Sequence, residues 1–158
     1  MSRKSAYTAA TLTLTFQESV ELNNRNYGST QTHTLASISN VERRISTVTT
    51  TEATIMTFDS AMAAGQYIPA KVKYIRFTNL DDTNHIVLTF ANENDDEMAI
   101  KLDAGQTFVM NGDNSGGMAD VMDAKDSALS LSLGDLKSIT ADADTASCDM
   151  EVFVAEIA

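Results

Sequence analysis

Between Val72 and Met110 apolar and polar side chains alternate in four bursts, each closed by turn-forming residues, and that pattern predicts four consecutive β-strands. Ile86, Leu88 and Phe90 share one face while Val87 and Thr89 take the other, and Met98, Ile100 and Leu102 alternate in the same way with Ala99 and Lys101. A period of two is what a half-buried strand requires. Asp81-Asp82-Thr83-Asn84 and Asp103-Ala104-Gly105 separate the bursts. Glycine in the second turn suits the left-handed position of a three-residue hairpin, so Met98–Leu102 is expected to pair antiparallel with Gln106–Met110.

The same pattern recurs along the chain. Thr11 to Phe16 alternates without a break, which places Leu12, Leu14 and Phe16 inward and three threonines outward. Ile38, Val41, Ile45 and Val48 have the spacing of a helix face, but the β-branched residues and the following Thr47–Thr51 favour strands, with a short helical turn as the alternative. Ile55–Phe58 reads as a short strand, Ser60–Gly65 as a loop or a single helical turn, and Pro69 as a strand edge or start. Leu129–Leu133 alternates again, and Leu136–Thr140 follows it across Gly134-Asp135. Cys148–Ile157 is apolar on both faces, the pattern of a central strand. Asn23–Gly28 and Asn111–Gly117 are loops by composition. Residues 1–8 form an exposed, basic arm, and residues 9–158 one domain. Eight to eleven short strands with little helix predict an all-β fold, a two-sheet antiparallel sandwich arranged as a jelly roll.

Composition adds two constraints. The 158 residues suffice to bury roughly 70% of the surface the unfolded chain exposes. Cys148 is the single cysteine, so no intrachain disulfide can form, and its spacing from Met150 and Val152 predicts that it packs in the core. The N-terminus has no signal-peptide pattern and no run is long enough to span a membrane, so the expectation is a soluble protein made in the cytoplasm.

Charge is uneven. Residues 1–80 carry eight Lys or Arg against five Asp or Glu, a net of +3; residues 81–158 carry three against seventeen, a net of −14; together they make the −11 of the chain. An acidic protein cannot displace counterions from phosphate backbones, which disfavours nucleic acid as a partner. Either the N-terminal half docks on an acidic neighbour, or the charges of both halves mix on one folded surface.

Candidate chemistry is sparse. Gly112-Asp113-Asn114-Ser115-Gly116-Gly117 approaches the serine-protease string Gly-Asp-Ser-Gly-Gly, but the inserted asparagine breaks its register, and neither His33 nor His85 sits in a supporting pattern. Asp95, Asp96 and Glu97, or Asp113, Asn114 and Asp120, could offer oxygen ligands to calcium, although acidic turns more often serve to solvate strand ends. Without tryptophan there is no aromatic platform for a glycan. Met56, Met98, Met110 and Met150 are expected to fill the core. No cofactor and no metal is called for.

Tyr74–Asp81, Ile86–Phe90, Ile100–Gln106 and the ending Asp149–Ala155 resemble the small β-sandwich virion proteins of tailed bacteriophages, marine ones especially. The resemblance spans the last 90 or so residues, rests on strand-and-turn grammar, and attaches no functional residue. It implies a non-enzymatic particle component, located on the virion surface: a head decoration or cement protein that binds the major capsid protein, as a homo-oligomer and by preference a trimer. A tail, collar or fibre-connecting component is the alternative within the virion, and a calcium- or glycan-binding module the alternative outside it. For the decoration role the contact candidates are Arg3, Lys4, Tyr7, Arg25, Tyr27, Arg43 and Arg44, the cations and aromatics of the less acidic half.

Overall fold

A computed structural model of the chain describes residues 8–61, 65–114, 116–123 and 133–158. The strands are β1 Ala10–Gln17, β2 Glu21–Leu22, β3 Arg25–Asn26, β4 Thr30–Val48, β5 Ala53–Phe58, β6 Gln66–Tyr67, β7 Val72–Asn79, β8 Ile86–Asn92, β9 Glu97–Leu102, β10 Thr107–Asn111, β11 Leu136–Ala143 and β12 Cys148–Ile157. A 3₁₀ turn at Pro69–Lys71 precedes β7. The first sheet runs β1-β4-β12-β7-β10 and the second β6-β5-β11-β8-β9, while β2 and β3 form a separate two-stranded ribbon.

The architecture is one long antiparallel ribbon rolled up. β4 pairs with β12, β5 with β11, β7 with β10 and β8 with β9, all antiparallel, and successive pairs alternate between sheets. That order is a jelly roll, two facing sheets packed on a shared core. Strand faces follow period two. Ile86, Leu88 and Phe90 of β8, Ile75 and Phe77 of β7, Ile139 and Ala141 of β11, and Met150, Val152 and Val154 of β12 are fully buried and face one another. Cys148 joins them, and β12 lies centrally between β4 and β7.

The expected hairpin between Met98–Leu102 and Gln106–Met110 does not form. β9 pairs with β8 and β10 with β7, so Asp103–Gln106 is a corner between the sheets. Gly105 does take the left-handed conformation, φ 72°, and Gln106 N–H bonds to the Asp103 carbonyl, so the turn chemistry is right while its destination differs. Buried Asn79 ties this corner to the β7–β8 corner. Its Nδ2 donates to the carbonyls of Asn84 and Leu102 at 2.9 and 3.1 Å, and its Oδ1 accepts from Asp81 N at 3.0 Å. Asn92 does the same at the far end of β8, donating to the Met122 carbonyl and accepting from the backbone of Asn94 and Asp96.

Ile38–Val48 contains no helical turn; it belongs to the single 19-residue strand β4. β12 covers residues 38–48 of that strand and β1 covers residues 30–38, so Thr30–Ser37 and β1 form a two-stranded ribbon beyond the β12 pairing, and its Leu14 and Leu35 pack on Tyr74 and Ala155 on the outer face of the first sheet. The bend is at Ser37, whose φ is +64°. Leu12 and Leu14 turn to the cluster formed by Leu35, Ile38, Tyr74 and Ala155, as the alternation requires. Phe16 corrects the expectation: it is 43% exposed, because among the described residues nothing covers the outer end of β1. Met98 is likewise 39% exposed on the edge strand β9, whereas Met56 and Met150 are buried. The strand expected at Leu129–Leu133 and the arm at residues 1–8 lie, except for Thr8 and Leu133, outside the described residues.

Because Leu88 is closely packed on both sides of the core, Leu88→Ala is expected to lower unfolding free energy by about 3 kcal/mol. Phe16→Ala should change it by less than about 0.5 kcal/mol. Urea denaturation checks both, and a comparable loss at the two positions would contradict this assignment of the core.

Candidate interaction surface

Adjacent residues of a strand point to opposite faces, and this separates the paired arginines. In register, Arg43 sits opposite Phe153 and Arg44 opposite the core residue Val152. Arg44 therefore turns into the sandwich, where its Nη2 donates to the Ile55 carbonyl at 2.6 Å and its Nε forms an ion pair with Glu42 Oε1 at 3.1 Å. Glu42 is on the same inner face, and its Oε2 accepts the Tyr67 hydroxyl at 2.6 Å. Burial first, and this carboxylate second, push the Tyr67 phenol far above its ordinary range. The inner face of β4 is polar because residues 39–48 lack a neighbouring strand on the β1 side among the described residues, and inward charges keep such an edge from recruiting another chain.

Arg43 takes the outer face. Its Nε donates to Glu151 Oε2 at 2.7 Å, and Arg76 from the opposite neighbouring strand engages Glu151 Oε1. Glu151 stands on the middle strand and is only 6% exposed, so one carboxylate links β4, β12 and β7. The hydrogen bonds from Arg43, then those from Arg76, hold its pKa below the usual carboxylate range. Arg76 also donates to Thr78 Oγ1 at 2.6 Å and lies 5.8 Å from the Phe153 ring centre. Cations of the first half of the chain thus meet a carboxylate of the second, and the charges of the two halves mix.

Val41 and Ile45 flank Arg43 on this face and are 51% and 61% exposed. The second exposed apolar group lies at the ribbon's tip. Asn23 and Asn24, both at positive φ, make the two-residue turn that joins β2 to β3, so the expected Asn23–Gly28 loop is in part a small hairpin. Gly28 closes its base where a Cβ would stand 2.2 Å from the Glu18 carbonyl oxygen. Arg25 and Tyr27 are exposed there, beside Val20 and Leu22. Of the nine large apolar side chains exposed among the described residues, six lie between Phe16 and Ile45, so exposed apolar surface is concentrated on this segment.

Of the sequence candidates, Arg25, Tyr27 and Arg43 are exposed on this segment, Arg44 is turned inward, and Arg3, Lys4 and Tyr7 lie outside the described residues. Val41 and Ile45 were missed, although their alternation with Arg43 is the signal that would have found them. Other candidate chemistry is dispersed. His33 is exposed on the ribbon, whereas His85 precedes β8 and pairs with Asp144 at 3.5 Å. Ser115 lies outside the described residues. The thiol of buried Cys148 is pushed up, chiefly by burial. Asp95 pairs with Lys137 at 2.5 Å, Asp96 accepts from Asn92 Nδ2, and Asp113 Oδ2 accepts from Gly116 N. Among the described residues no three His, Cys, Asp or Glu side chains gather to hold a metal ion. The chain matches no protein-family model, no curated protein and no solved structure.

Two carboxylates of β12 should respond oppositely to pH. Glu151, with its depressed pKa, contributes stability that is present above the ordinary value of 4.5 and is lost as pH falls through the lower folded value. Glu151→Gln should therefore cost about 2 kcal/mol at pH 7, and the deficit should vanish in acid. Glu156 is 2% exposed, its Oε1 finds no hydrogen-bond partner among the described residues, and burial is the main cause raising its pKa. Its ionised form is a burden above that raised value and the folded state gains as pH falls towards 4.5, so Glu156→Gln should stabilise the protein at pH 7 and less so near pH 4.5. Urea titrations at several pH values check both signs.

Proposed function

We propose that the chain is a non-enzymatic structural component of a tailed-bacteriophage particle, seated on the head as a decoration protein that binds the major capsid protein. The observation that carries this reading is the gathering of exposed apolar side chains on the β1–β4 segment of an otherwise acidic, closely packed sandwich. A surface of that kind suits a protein partner, since apolar side chains need cover from water and the −11 charge repels nucleic acid and anionic lipid alike. The resemblance to small β-sandwich virion proteins supports the particle, and all its stretches fall on β7, β8, β9 and β12 and their corners. The ion pairs of Glu151 with Arg43 and Arg76 join three neighbouring strands of the first sheet, which suits a rigid structural role. Decoration requires rigidity, buried contact area on the capsid and self-association, for which a trimer is the proposed state.

A cryo-electron-microscopy map of the native particle tests the reading. Sandwich density on the head lattice, with the β1–β4 segment against capsid subunits, is expected. Density confined to the tail or collar would overturn the head assignment, and absence from purified particles would overturn the virion assignment altogether.

A further inference from the structure

We propose that copies of this chain associate by exchanging their β1–β4 ribbons: β4 straightens at Ser37, the ribbon leaves the outer face of its own first sheet, and it takes the same place on another copy. This rests on the self-association in the reading above and supplies its contact, and the purified chain suffices to test it.

What fills the receiving site is shown by each copy's own ribbon. Leu14 and Leu35, with Leu12 beside them, pack on Tyr74, Phe153 and Ala155 of the first sheet. Among the described residues the hydrogen bonds of residues 12–36 stay within the ribbon, and no ion pair leaves it. The ribbon is therefore held to the sandwich by apolar side chains and by its own chain through Ser37. Beside the hinge even this packing is open, with a cleft of about 360 Å³ between residues 34–37 and the side chains of Lys73 and Ile157. Neither strand of the ribbon proper, Ala10–Gln17 or residues 30–37, contains Asp, Glu, Lys or Arg. Exchange thus sets no charge of one copy against the apolar site of the next.

Strain marks the hinge. Ala36 and Ser37 stand opposite Thr11 alone, between the pairs Ala10↔Ile38 and Leu12↔Leu35, which is a bulge, and Ser37 has φ +64°. Five non-glycine residues among the described residues have positive φ. Four are Asn or Asp, which tolerate the left-handed region, and all four lie between strands; Ser37 is neither, and lies within the span of β4. A straight β4 relieves that strain but uncovers the apolar cluster, and the ribbon of a second copy covers it again. The exchanged state thus keeps the contacts of the closed monomer and relaxes the hinge, while it gives up the freedom of separate copies. Concentration decides between the two, and a strained hinge favours exchange. Ile38, next to the hinge, belongs to the same cluster, so donor and receiver must lie against one another. Only a closed set, in which every copy gives one ribbon and receives one, leaves no cluster bare.

The test refolds the full-length chain from urea at micromolar and at millimolar concentration and reads its state by sedimentation velocity. The wild type should be monomeric after dilute refolding and oligomeric after concentrated refolding. Ser37→Val, whose branched side chain opposes positive φ, should strengthen association about tenfold, and Ser37→Gly, which adopts that φ freely, should weaken it by about the same factor. In an oligomer refolded from a mixture of isotopically labelled and unlabelled chains, filtered NOEs should join the Leu14 and Leu35 methyls of one copy to the Tyr74 ring of another. Should Ser37→Val lack a melting transition, Ser37→Gly and the NOEs still decide. A wild type that stays monomeric after refolding at millimolar concentration, valine and glycine variants that shift in the same direction, or NOEs confined to single copies would overturn the proposal. A monomeric chain that still decorates the head would sink the exchange alone, whereas exchanged oligomers absent from the particle would sink the virion reading alone.

Discussion

The structure depends on the insertion of β12 between β4 and β7. This strand hydrogen-bonds on both sides, so neither neighbour keeps its place in the first sheet without it. Cys148, Met150, Val152 and Val154 supply its share of the core, and on its opposite face Glu151 gathers an arginine from each neighbour. Backbone pairing, apolar burial and charge pairing therefore agree on one register. A one-residue slip would carry Glu151 into the core and Val152 to the surface, a conflict that makes register errors costly. β12 lies at the end of the chain, so the contact that closes the first sheet is also among its most distant in sequence, and folding of this kind is slow compared with locally paired folds.

Where β4 runs past its neighbours, the fold protects one stretch and leaves another open. Over residues 39–48 the bare side of the strand is guarded by Glu42 and Arg44, which turn inward to Tyr67 and the Ile55 carbonyl on the second sheet. Over residues 30–37 only β1 accompanies it, and a two-stranded ribbon by itself is marginal in water. Its base is held by Leu12, Leu14 and Leu35 against Tyr74 and Ala155, while the tip keeps its apolar side chains in solvent. The same strand thus belongs to the sandwich in one half and to the two-stranded ribbon in the other.

Sequence by itself determined the all-β class and the inward faces of most strands, because a period of two is a local property and each strand announces its buried side. The central position of β12 was legible for the same reason, its residues being apolar on both faces. Turn residues were also legible, and Gly105 adopts the positive φ that its position suggested. Which strands pair was not legible from those turns. Asp103–Gln106 suits a hairpin and a corner equally well, and long-range pairing with β7 and β8 decided between them. The exposed apolar surface followed the same division. Arg43-Arg44 is one basic pair as text and two opposed side chains on a strand, and Phe16 has a core-facing pattern but no opposing layer among the described residues. Alternation states which side chains share a face, and only the tertiary structure decides whether anything covers that face.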